Sequence, residues 1–483
     1  MDEQIQLLRD IEAYCRKVGL AETTFGRRSV NDGKFVSRLR EGKGVTIRTL
    51  NKVKEFIEQN SGPEGDDMAA SSTATAASAQ HKVRGGSATT AKKTSGKRSG
   101  ATTTSKKDDS ERAFRFYDNR QKYLMFVNTC DEKWMVSDRV GKELQHIVPT
   151  PPGLRVFDAG MGDGTVITNV MRNMHRRFPN VPFQIVGKEV SLEDVRLSLE
   201  KMPDRFYEHP ASVMVITNMY YTEAPWLMPR SINAAAALNW HEISLTGSTA
   251  WEFDEQLKAM GPTLASGWQA KASEKTGNPL YVRPSVLVIF REDHRFLLDQ
   301  LIPRPGQHPG QYDLVIASQP YRARMPAEFK VDKVLAPLAQ SLGPGGRMVA
   351  VHSSGDDPGL EIVRKIWPDE NPFITDRHTL LRVMKQRLAK TDRDLNFSTL
   401  SDKKAILQYH MHVLPNELGG ASIGTSTLFA AWNAAIYVAQ IEDARVEEAI
   451  GNPRYLEATS EVLKKHNGLW FNDEAFVISR RRS

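Results

Sequence analysis

Residues 154–164, LRVFDAGMGDG, are the segment best equipped for chemistry in this chain of 483 residues. An apolar run ends at Asp158, glycines follow at alternate positions, and a second carboxylate, Asp163, lies among them. Glycine lets the backbone approach a ligand without a Cβ clash, and a helix predicted from Thr165 leaves its first amide groups free. Two carboxylates would repel a phosphate but attract a cation. The segment therefore predicts a turn between a strand and a helix that binds a positively charged ligand.

A second acid follows the next apolar segment. Phe183, Ile185 and Val186 predict a strand, and Glu189 ends it. Taken alone, Glu189 is as consistent with a surface carboxylate as with a ligand-binding one. Together with the D-x-G-x-G-x-G pattern upstream, however, it resembles the first two motifs of the class I S-adenosylmethionine-dependent methyltransferases. The resemblance implies S-adenosyl-L-methionine as the cofactor.

The same resemblance assigns residues to cofactor binding. It implies that Glu189 binds both ribose hydroxyls, which suits a carboxylate because it accepts two hydrogen bonds at once. Asn218 ends the predicted third strand, where the family often places a polar residue near the adenine; the alternative is an ordinary turn asparagine. The cofactor site implied by the resemblance consists of Asp158, Ala159, Gly160, Met161, Gly162, Asp163, Gly164, Glu189 and Asn218.

The segment Ser318-Gln319-Pro320-Tyr321 follows the predicted fourth strand. Ligands of open α/β sheets bind beyond the carboxyl ends of the strands, so this segment is predicted to hold the methyl acceptor. It partly resembles the Asn/Asp/Ser-Pro-Pro-Tyr/Phe motif of amino-directed DNA and protein methyltransferases. That motif implies a target amine held by the polar residue and a backbone carbonyl, with the aromatic ring stacked on it. Gln319 replaces the first proline, and the alternative is a loop that simply ends a strand.

The elements that would position these residues alternate between strands and helices. Apolar runs predict strands near residues 154–157, 183–186, 212–218, 311–321, 342–355, 403–414 and 469–481. The family fold implies a Rossmann-like α/β domain with a mostly parallel sheet of seven strands. Its last strand would be antiparallel and inserted between the fifth and sixth. Residues 222–310 are too long for a simple connection and are expected, by analogy with the fold, to carry substrate specificity.

Residues 1–60 predict a small all-α module of four short helices. The stretch FGRRSVNDGKFVSRLREGKG resembles the helix-turn-helix of phage-repressor-type domains, whose third helix enters the major groove. The resemblance implies that Lys34, Ser37, Arg38 and Arg40 face DNA. The alternative is an interaction bundle with a solvated basic face.

The positive charge is concentrated before residue 111. Residues 1–60 hold 12 Lys or Arg against 9 Asp or Glu, and residues 61–110 hold 8 against 5, whereas the whole chain carries +7. Residues 61–110 are rich in Ser, Thr, Ala, Gly and Lys, and such a composition cannot bury enough apolar surface to offset ordering. We therefore expect a disordered basic linker over 61–110 between a module at 1–60 and a domain at 111–483. A basic tail attracts nucleic acid, although it can equally be a solvated spacer.

Several classes of protein are not expected. No run approaches the roughly 18 apolar residues of a membrane span. Cys15 and Cys130, the only cysteines, cannot build a disulfide framework or a four-cysteine zinc site. His410 and His412 share one face of a predicted strand without a third ligand nearby, so no metal site is predicted. With no secretory signal at the start, the expected location is the cytoplasm.

The sequence thus predicts an S-adenosylmethionine-dependent methyltransferase of unknown acceptor, recruited to DNA by residues 1–60 and the basic linker. Two alternatives stay open. One is a nucleic-acid amino-methyltransferase, which the near-neutral charge of the C-terminal part disfavours because duplex binding needs a broad positive surface. The other is a transcription regulator that senses the cofactor without turnover.

Overall fold

The computed structural model describes residues 2–18, 20–30, 32–40, 47–59, 120–273, 279–413, 417–418 and 422–482. Contacts between Cα atoms divide the chain into two compact units, Met1–Thr102 and Thr103–Ser483. The linker predicted over 61–110 lies outside the described residues, so its boundaries stay a prediction.

The N-terminal unit consists of four helices: α1 (Asp2–Val18), α2 (Glu22–Val30), α3 (Phe35–Arg40) and α4 (Ile47–Gln59). Their apolar faces meet in a small core in which the rings of Tyr14, Phe25 and Phe56 pack edge to face in all three pairs. Gly26 of α2 packs against the start of α3, since an added Cβ would lie 2.3 Å from the backbone oxygen of Asp32 and 3.3 Å from Phe35 Cβ. The predicted all-α module is therefore present.

The C-terminal unit is built on one large twisted sheet. Its strands are β1 (Leu154–Asp158), β2 (Phe183–Lys188), β3 (Ser212–Thr217), β4 (Asn239–Leu245), β7 (Ser285–Arg291), β8 (Tyr312–Ser318), β9 (Leu342–Ser353), β10 (Leu395–Ser398), β11 (Ile406–His410) and β12 (Trp470–Arg480), with β5 (Ala270–Ala272) and β6 (Pro279–Tyr281) in a separate hairpin. The strand order is β10-β12-β9-β8-β1-β2-β3-β7-β4, and β11 also pairs with β12.

Helices cover both faces and one end of this sheet. They are α5 (Arg120–Thr129), α6 (Glu132–Glu143), α7 (Thr165–Arg177), α8 (Leu192–Leu199), α9 (Met202–Glu208), α10 (Ile232–Ala236), α11 (Ala250–Lys258), α12 (Gly261–Gly267), α13 (Arg295–Leu298), α14 (Ala327–Lys330), α15 (Ala336–Gln340), α16 (Pro358–Ile366), α17 (Arg377–Leu388), α18 (Asp402–Ala405), α19 (Thr425–Val438), α20 (Asp443–Ile450) and α21 (Arg454–His466). None of the helices within the described residues is long and apolar enough to cross a membrane.

The topology confirms the predicted Rossmann-like α/β fold. Strands β3, β2, β1, β8 and β9 run parallel in that order, and β12 runs antiparallel to both β9 and β11. The final strand therefore lies between the fifth and sixth predicted strands. Parallel strands place their carboxyl ends at one edge, which is where the glycine turn, Glu189 and Ser318 come together.

The predicted count of seven strands is wrong, because the 222–310 insertion extends the sheet. Strand β7 pairs antiparallel with β3, and β4 pairs parallel with β7 at the outer edge. Every residue of β7, SVLVIFR, is buried. A short continuous apolar run of this kind is typical of a strand covered on both faces. The insertion thus forms part of the folded core, and β10 is a further strand not predicted.

Side chains alternate between the two faces of the sheet and form two large cores. Phe157, Val213 and Val215 lie in one core, and Val156, Met214 and Ile216 lie in the other. A third core packs α5, α16, α19 and α21 against β11 and β12. It contains the segment around Trp432, which was predicted as a packed helix and is α19.

Candidate functional site

The glycine turn joins β1 to α7 at the carboxyl edge of the sheet. Gly162 and Gly164 have φ angles of 54° and 79°, a region that side chains rarely adopt. An added Cβ on Gly164 would also lie 3.0 Å from the Cα atom of Ser198. At Gly160 the nearest atom to such a Cβ is the backbone oxygen of Ser318, at 3.7 Å, so this glycine keeps open space beside the acceptor segment.

Asp158 ends β1 beneath this turn and is buried. Its Oδ1 atom accepts a hydrogen bond of 3.1 Å from the Gly160 amide, whereas Oδ2 is buried and has no partner. Burial raises the pKa of Asp158 to about 7, against a weaker lowering by the Gly160 amide and Lys133. An unsatisfied buried acceptor is costly unless a ligand supplies the missing donor or charge. Asp158 Oδ2 is therefore available to interact with a cation or a hydrogen-bond donor of a ligand.

Glu189 lies against the same turn, and the structure thus brings together the two predicted carboxylates. Its Oε2 atom accepts a hydrogen bond of 2.9 Å from the Gly162 amide, and Oε1 accepts bonds of 2.8 Å from the amides of Val190 and Ser191. Burial raises the pKa of Glu189, and the nearby Lys188 opposes that rise. A carboxylate has about four acceptor positions, so one remains for a ligand.

The other residues of the predicted motif have backbone or structural contacts. The Ala159 amide donates to Ile316 and the Met161 amide to Lys188, and both side chains are buried. Asp163 accepts hydrogen bonds from the Thr165 hydroxyl at 2.6 Å and from Lys201 Nζ at 2.9 Å. These contacts fix the start of α7, and a cofactor contact by Asp163 stays a prediction.

Asn218 follows β3, and both polar atoms of its side chain form hydrogen bonds with backbone groups of the 222–310 insertion. Its Nδ2 donates to the backbone oxygens of Gly267 and Arg283 at 3.1 and 2.9 Å. Its Oδ1 accepts a hydrogen bond of 2.8 Å from the Ser285 amide. This geometry supports the turn-asparagine alternative, because both donors are already used, and the adenine contact stays a prediction.

The acceptor segment leaves β8 at Ser318 and turns sharply at Gln319, which has a φ angle of 46°. The Gln319 amide donates to the Val351 carbonyl at 2.9 Å, while its side-chain Nε2 donates to Ser353 Oγ and Asp473 Oδ2 at 3.1 and 2.9 Å. Hydrogen bonds therefore hold the turn where the family motif uses a proline ring. The side chain of Gln319 points into the sheet, and its backbone carries the turn.

Pro320 and Tyr321 differ in their contacts: the Pro320 carbonyl is hydrogen-bonded, whereas the Tyr321 side chain is buried in the core. The Pro320 carbonyl accepts a hydrogen bond of 2.9 Å from the Tyr221 hydroxyl. Tyr321 is a buried member of the core, its ring lies 5.0 Å from Lys330 Nζ, and its hydroxyl is buried without a partner. A ring packed into the core is poorly placed to stack on an acceptor, so that role stays a prediction without support from this geometry.

Two residues near the turn were not predicted from the sequence, because they lie on helices distant in the chain from the glycine motif. Tyr123 on α5 brings its hydroxyl to 3.2 Å from the position of a Cβ on Gly162, and Lys133 Nζ on α6 lies 5.5 Å from the Tyr123 ring centre. Burial would lower the pKa of Lys133, but the surrounding Tyr123, Glu132 and Asp163 raise it well above its usual value. Lys133 therefore stays protonated and places a positive charge beside the turn. No motif in the sequence marks these residues.

A buried pair of carboxyl groups lies below the acceptor segment. Burial and the adjacent Glu132 raise the pKa of Asp473 well above its usual value, against hydrogen bonds from Ser353 and Gln319. Burial likewise raises the pKa of Glu132. The Oδ1 atom of Asp473 has no hydrogen-bond partner. Both carboxyl groups therefore ionise less readily than free carboxyl groups do.

The Lys188 side chain lies against the ring of Tyr221. Its Nζ atom lies 4.7 Å from the ring centre of Tyr221, the residue whose hydroxyl reaches the acceptor segment. Trp268, from the insertion, donates through Nε1 to the Glu189 carbonyl at 2.8 Å. Within the described residues no group of three or more His, Cys, Asp and Glu side chains could hold a metal ion.

In the N-terminal unit, α3 buries Phe35, Val36 and Leu39 and exposes its opposite face. The side chains predicted to face DNA, Lys34, Ser37, Arg38 and Arg40, all lie exposed there. Two of them have acidic partners: Arg38 pairs with Asp32, and Arg40 lies 2.8 Å from both Glu12 and Glu22. These pairs reduce the free positive charge of the face.

Comparison with protein-family models and with curated protein sequences gives no match. Solved structures of methyltransferases are similar at low identity. The plantazolicin methyltransferase BpumL in complex with SAH is 10% identical, with 76% of this chain and 92% of that chain covered and a TM-score of 0.29. A loganic acid methyltransferase with SAH is 11% identical, with 77% and 97% covered and a TM-score of 0.29. A geranyl diphosphate methyltransferase in complex with GPP and sinefungin is 12% identical, with 71% and 78% covered and a TM-score of 0.27. Because identity and TM-score are low throughout, these similarities do not indicate a function for this chain. The function is inferred instead from the residues of the site.

Proposed function

We propose that residues 120–482 form an S-adenosylmethionine-dependent methyltransferase. The observation that carries this proposal is the placement of two carboxyl groups on one glycine turn. Asp158 accepts from Gly160, and Glu189 accepts from Gly162, at the carboxyl edge of a mostly parallel sheet. This edge is where open α/β sheets bind their ligands.

The residues present fit that cofactor. Asp158 Oδ2 is a buried acceptor without a partner, which suits the cationic or N–H-bearing part of the molecule. Glu189 has one acceptor position left beyond its three backbone amides and would accept a hydrogen bond from a ribose hydroxyl. The open space at Gly160 lets a ligand lie against the backbone of the turn. When bound, S-adenosyl-L-methionine supplies a methyl group on a sulfonium sulfur for direct displacement.

The protein's own residues contribute positioning and charge. Lys133 would attract the cofactor's carboxylate, and Tyr123 would cover the turn at Gly162. Aligning acceptor and methyl in one cleft accounts for much of such an enzyme's rate enhancement, because the entropy of bringing them together is lost on binding. The acceptor would enter beside Ser318 and Pro320, whose loop is held in place by Gln319 and Tyr221.

Calorimetry on the purified full chain with S-adenosyl-L-methionine and S-adenosylhomocysteine tests the proposal. Both ligands should bind, and Glu189→Gln should weaken binding about tenfold or more, because charge-assisted hydrogen bonds contribute roughly 1.5–3 kcal/mol. Glu447→Gln, on the exposed face of α20, is the matched control and should bind as the wild type does. Absence of heat with both ligands would refute the proposal.

The acceptor is addressed by transfer of a labelled methyl group into fractionated cell extract. Label in nucleic acid would favour an amino-methyltransferase of nucleic acids, and label in protein or small molecules would identify another acceptor class. Binding without any labelled product would favour a regulator that senses the cofactor. The near-neutral charge of the C-terminal part favours an acceptor other than duplex nucleic acid.

We further propose that the N-terminal unit recruits the protein to DNA. Support comes from the exposed polar and basic side chains of α3 opposite its buried apolar face. The ion pairs of Arg38 and Arg40 oppose it, because those arginines must exchange acidic partners for phosphates. Fluorescence anisotropy with labelled duplex DNA at several salt concentrations would test it, since phosphate contacts make affinity fall steeply with salt.

A further inference from the structure

A cavity lies in the C-terminal unit, at the amino-terminal ends of β1 and β2 and thus away from the carboxyl edge. Its volume is about 350 Å³, within the range of small-molecule sites. Arg155 of β1 and Gln184 of β2 form its floor, and the end of the insertion, residues 299–309, forms its wall. At roughly 30 Å³ per water molecule, the cavity has room for a small metabolite rather than a single ion.

The Arg155 side chain lines this cavity, and its charge interacts electrostatically with the buried Asp313 carboxyl, whose pKa it lowers against the effect of burial. Across all of the described ranges the guanidinium makes no hydrogen bond and no ion pair, and its Nε atom is buried without an acceptor. The neighbouring Asp313 accepts a hydrogen bond of 2.8 Å from the backbone amide of Arg155 instead of from the guanidinium. Arginine stays protonated in proteins, so this is a permanent positive charge with unused donors.

Within the described residues, none of the other polar groups that line the cavity forms an ion pair with Arg155. His308 is buried and bonded to the Gln184 Oε1 atom at 3.1 Å, and burial together with the charge of Arg155 lowers its pKa to about 4. It is therefore neutral at pH 7. Arg304 lies at the rim, 3.4 Å from Asp299, and both side chains are about two-thirds exposed at 65% and 64%. Such an exposed pair is weak and exchanges readily for a ligand.

We propose that this cavity binds a small organic or inorganic anion, a carboxylate or a phosphate, through the Arg155 guanidinium, with Arg304 at the entrance. Guanidinium presents parallel N–H donors that match both groups in a bidentate arrangement. The proposed site is separate from the glycine turn and does not depend on the methyltransferase assignment. Its ligand would be a substrate or effector class that the carboxyl-edge site does not explain.

The test uses calorimetry on the full chain with inorganic phosphate and, separately, with succinate, at ionic strength held constant with sodium chloride. At least one probe should bind, and Arg155→Gln should weaken its binding about tenfold or more, which corresponds to about 1.4 kcal/mol. Arg393→Gln, an exposed arginine elsewhere, is the control and should bind as the wild type does. Binding of phosphate alone identifies a phosphate ligand, binding of succinate alone a carboxylate, and binding of both the shared chemistry.

Two further measurements keep the proposal falsifiable if Arg155→Gln folds poorly. Arg155→Lys keeps the charge but loses the bidentate donors, so it should bind the probe more weakly than the wild type while unfolding cooperatively. In the wild type, the melting temperature should rise with the concentration of the bound probe. The proposal is overturned if neither probe gives heat or a melting shift at about 10 mM, or if Arg155→Gln binds as tightly as the wild type.

Discussion

Asp158 and Glu189 lie on one turn, yet their environments differ. Glu189 has three backbone amide donors, whereas Asp158 has one and keeps a buried oxygen unpaired. A group left unsatisfied in the free protein contributes to binding when a ligand satisfies it, because the cost of its burial is already present. We therefore expect Asp158 to determine affinity for the cationic part of the cofactor, and Glu189 to hold the turn as well as the ribose.

Replacing Asp158 with Asn removes the charge and keeps an acceptor for the Gly160 amide. Affinity for S-adenosyl-L-methionine should fall about tenfold or more, while thermal stability should stay the same or rise, because an unpaired buried carboxyl is costly. Calorimetry and a thermal melt of the same sample measure both effects. Unchanged affinity would show that Asp158 does not face the cofactor.

The raised pKa of Asp158, about 7, predicts how the protein depends on pH. The value lies above that of an unfolded aspartate, near 3.9, so this group destabilises the fold progressively as pH rises from about 4 to about 7. A bound cation favours the ionised form, so affinity should increase as pH rises through about 7 and binding should release a proton. Calorimetry in buffers of different ionisation enthalpy detects that proton. In Asp158→Asn this proton release should be absent; its persistence would assign the titration to another group.

At the scale of elements, the turn after β8 replaces a proline ring with hydrogen bonds. Gln319 has a φ of 46°, and its amide donates to Val351. Proline fixes φ near −65° and has no amide hydrogen, so Gln319→Pro should destabilise the C-terminal unit by about 1–3 kcal/mol. Gln319→Gly, which fits the same φ and keeps the amide, should cost less. Denaturant unfolding of both variants measures the difference, and equal stabilities would contradict this account of the turn.

Helices α2 and α3 meet at a position that only glycine fits. A Cβ at Gly26 would lie 2.3 Å from the Asp32 carbonyl, so Gly26→Ala should destabilise the N-terminal unit by about 1–3 kcal/mol, as other overpacking changes do. At Gly33 the nearest atom is the end of the flexible Arg27 side chain, at 3.0 Å, so Gly33→Ala should have a smaller effect. Hydrogen exchange over residues 2–59 reports the stability of this unit. A larger effect at Gly33 would contradict the prediction.

At the scale of the whole molecule, the proposed cofactor contacts lie within one unit. Asp158, Glu189, Tyr123 and Lys133 all belong to Thr103–Ser483. A chain that lacks residues 1–102 should bind S-adenosyl-L-methionine with affinity within about twofold of the full chain, because every residue proposed to contact the cofactor belongs to the C-terminal unit. Affinity for duplex DNA should be lost, as measured by anisotropy at the same salt concentration. Loss of cofactor binding would show that the N-terminal unit supports the site.

The sequence alone determined the central strands and the glycine turn. A continuous apolar run followed by Asp158 and alternate glycines is a local signal, because the turn needs left-handed backbone at Gly162 and Gly164. Glu189 was found for the same reason, since it ends a buried strand that neighbours β1. The Rossmann-like order followed from the resemblance, and the antiparallel final strand agrees with it.

The tertiary structure decided which residues distant in the chain lie at the site. It also decided which of the predicted residues make their contacts elsewhere. Tyr123 and Lys133 reach the turn from helices with no motif, Asn218 is taken up by the insertion, and Tyr321 packs into the core. Likewise, residues 285–291 became a strand of the main sheet rather than part of a specificity loop. Local patterns report the conformation of a segment, but long-range packing and pairing set where its side chains point, and those depend on partners far along the chain.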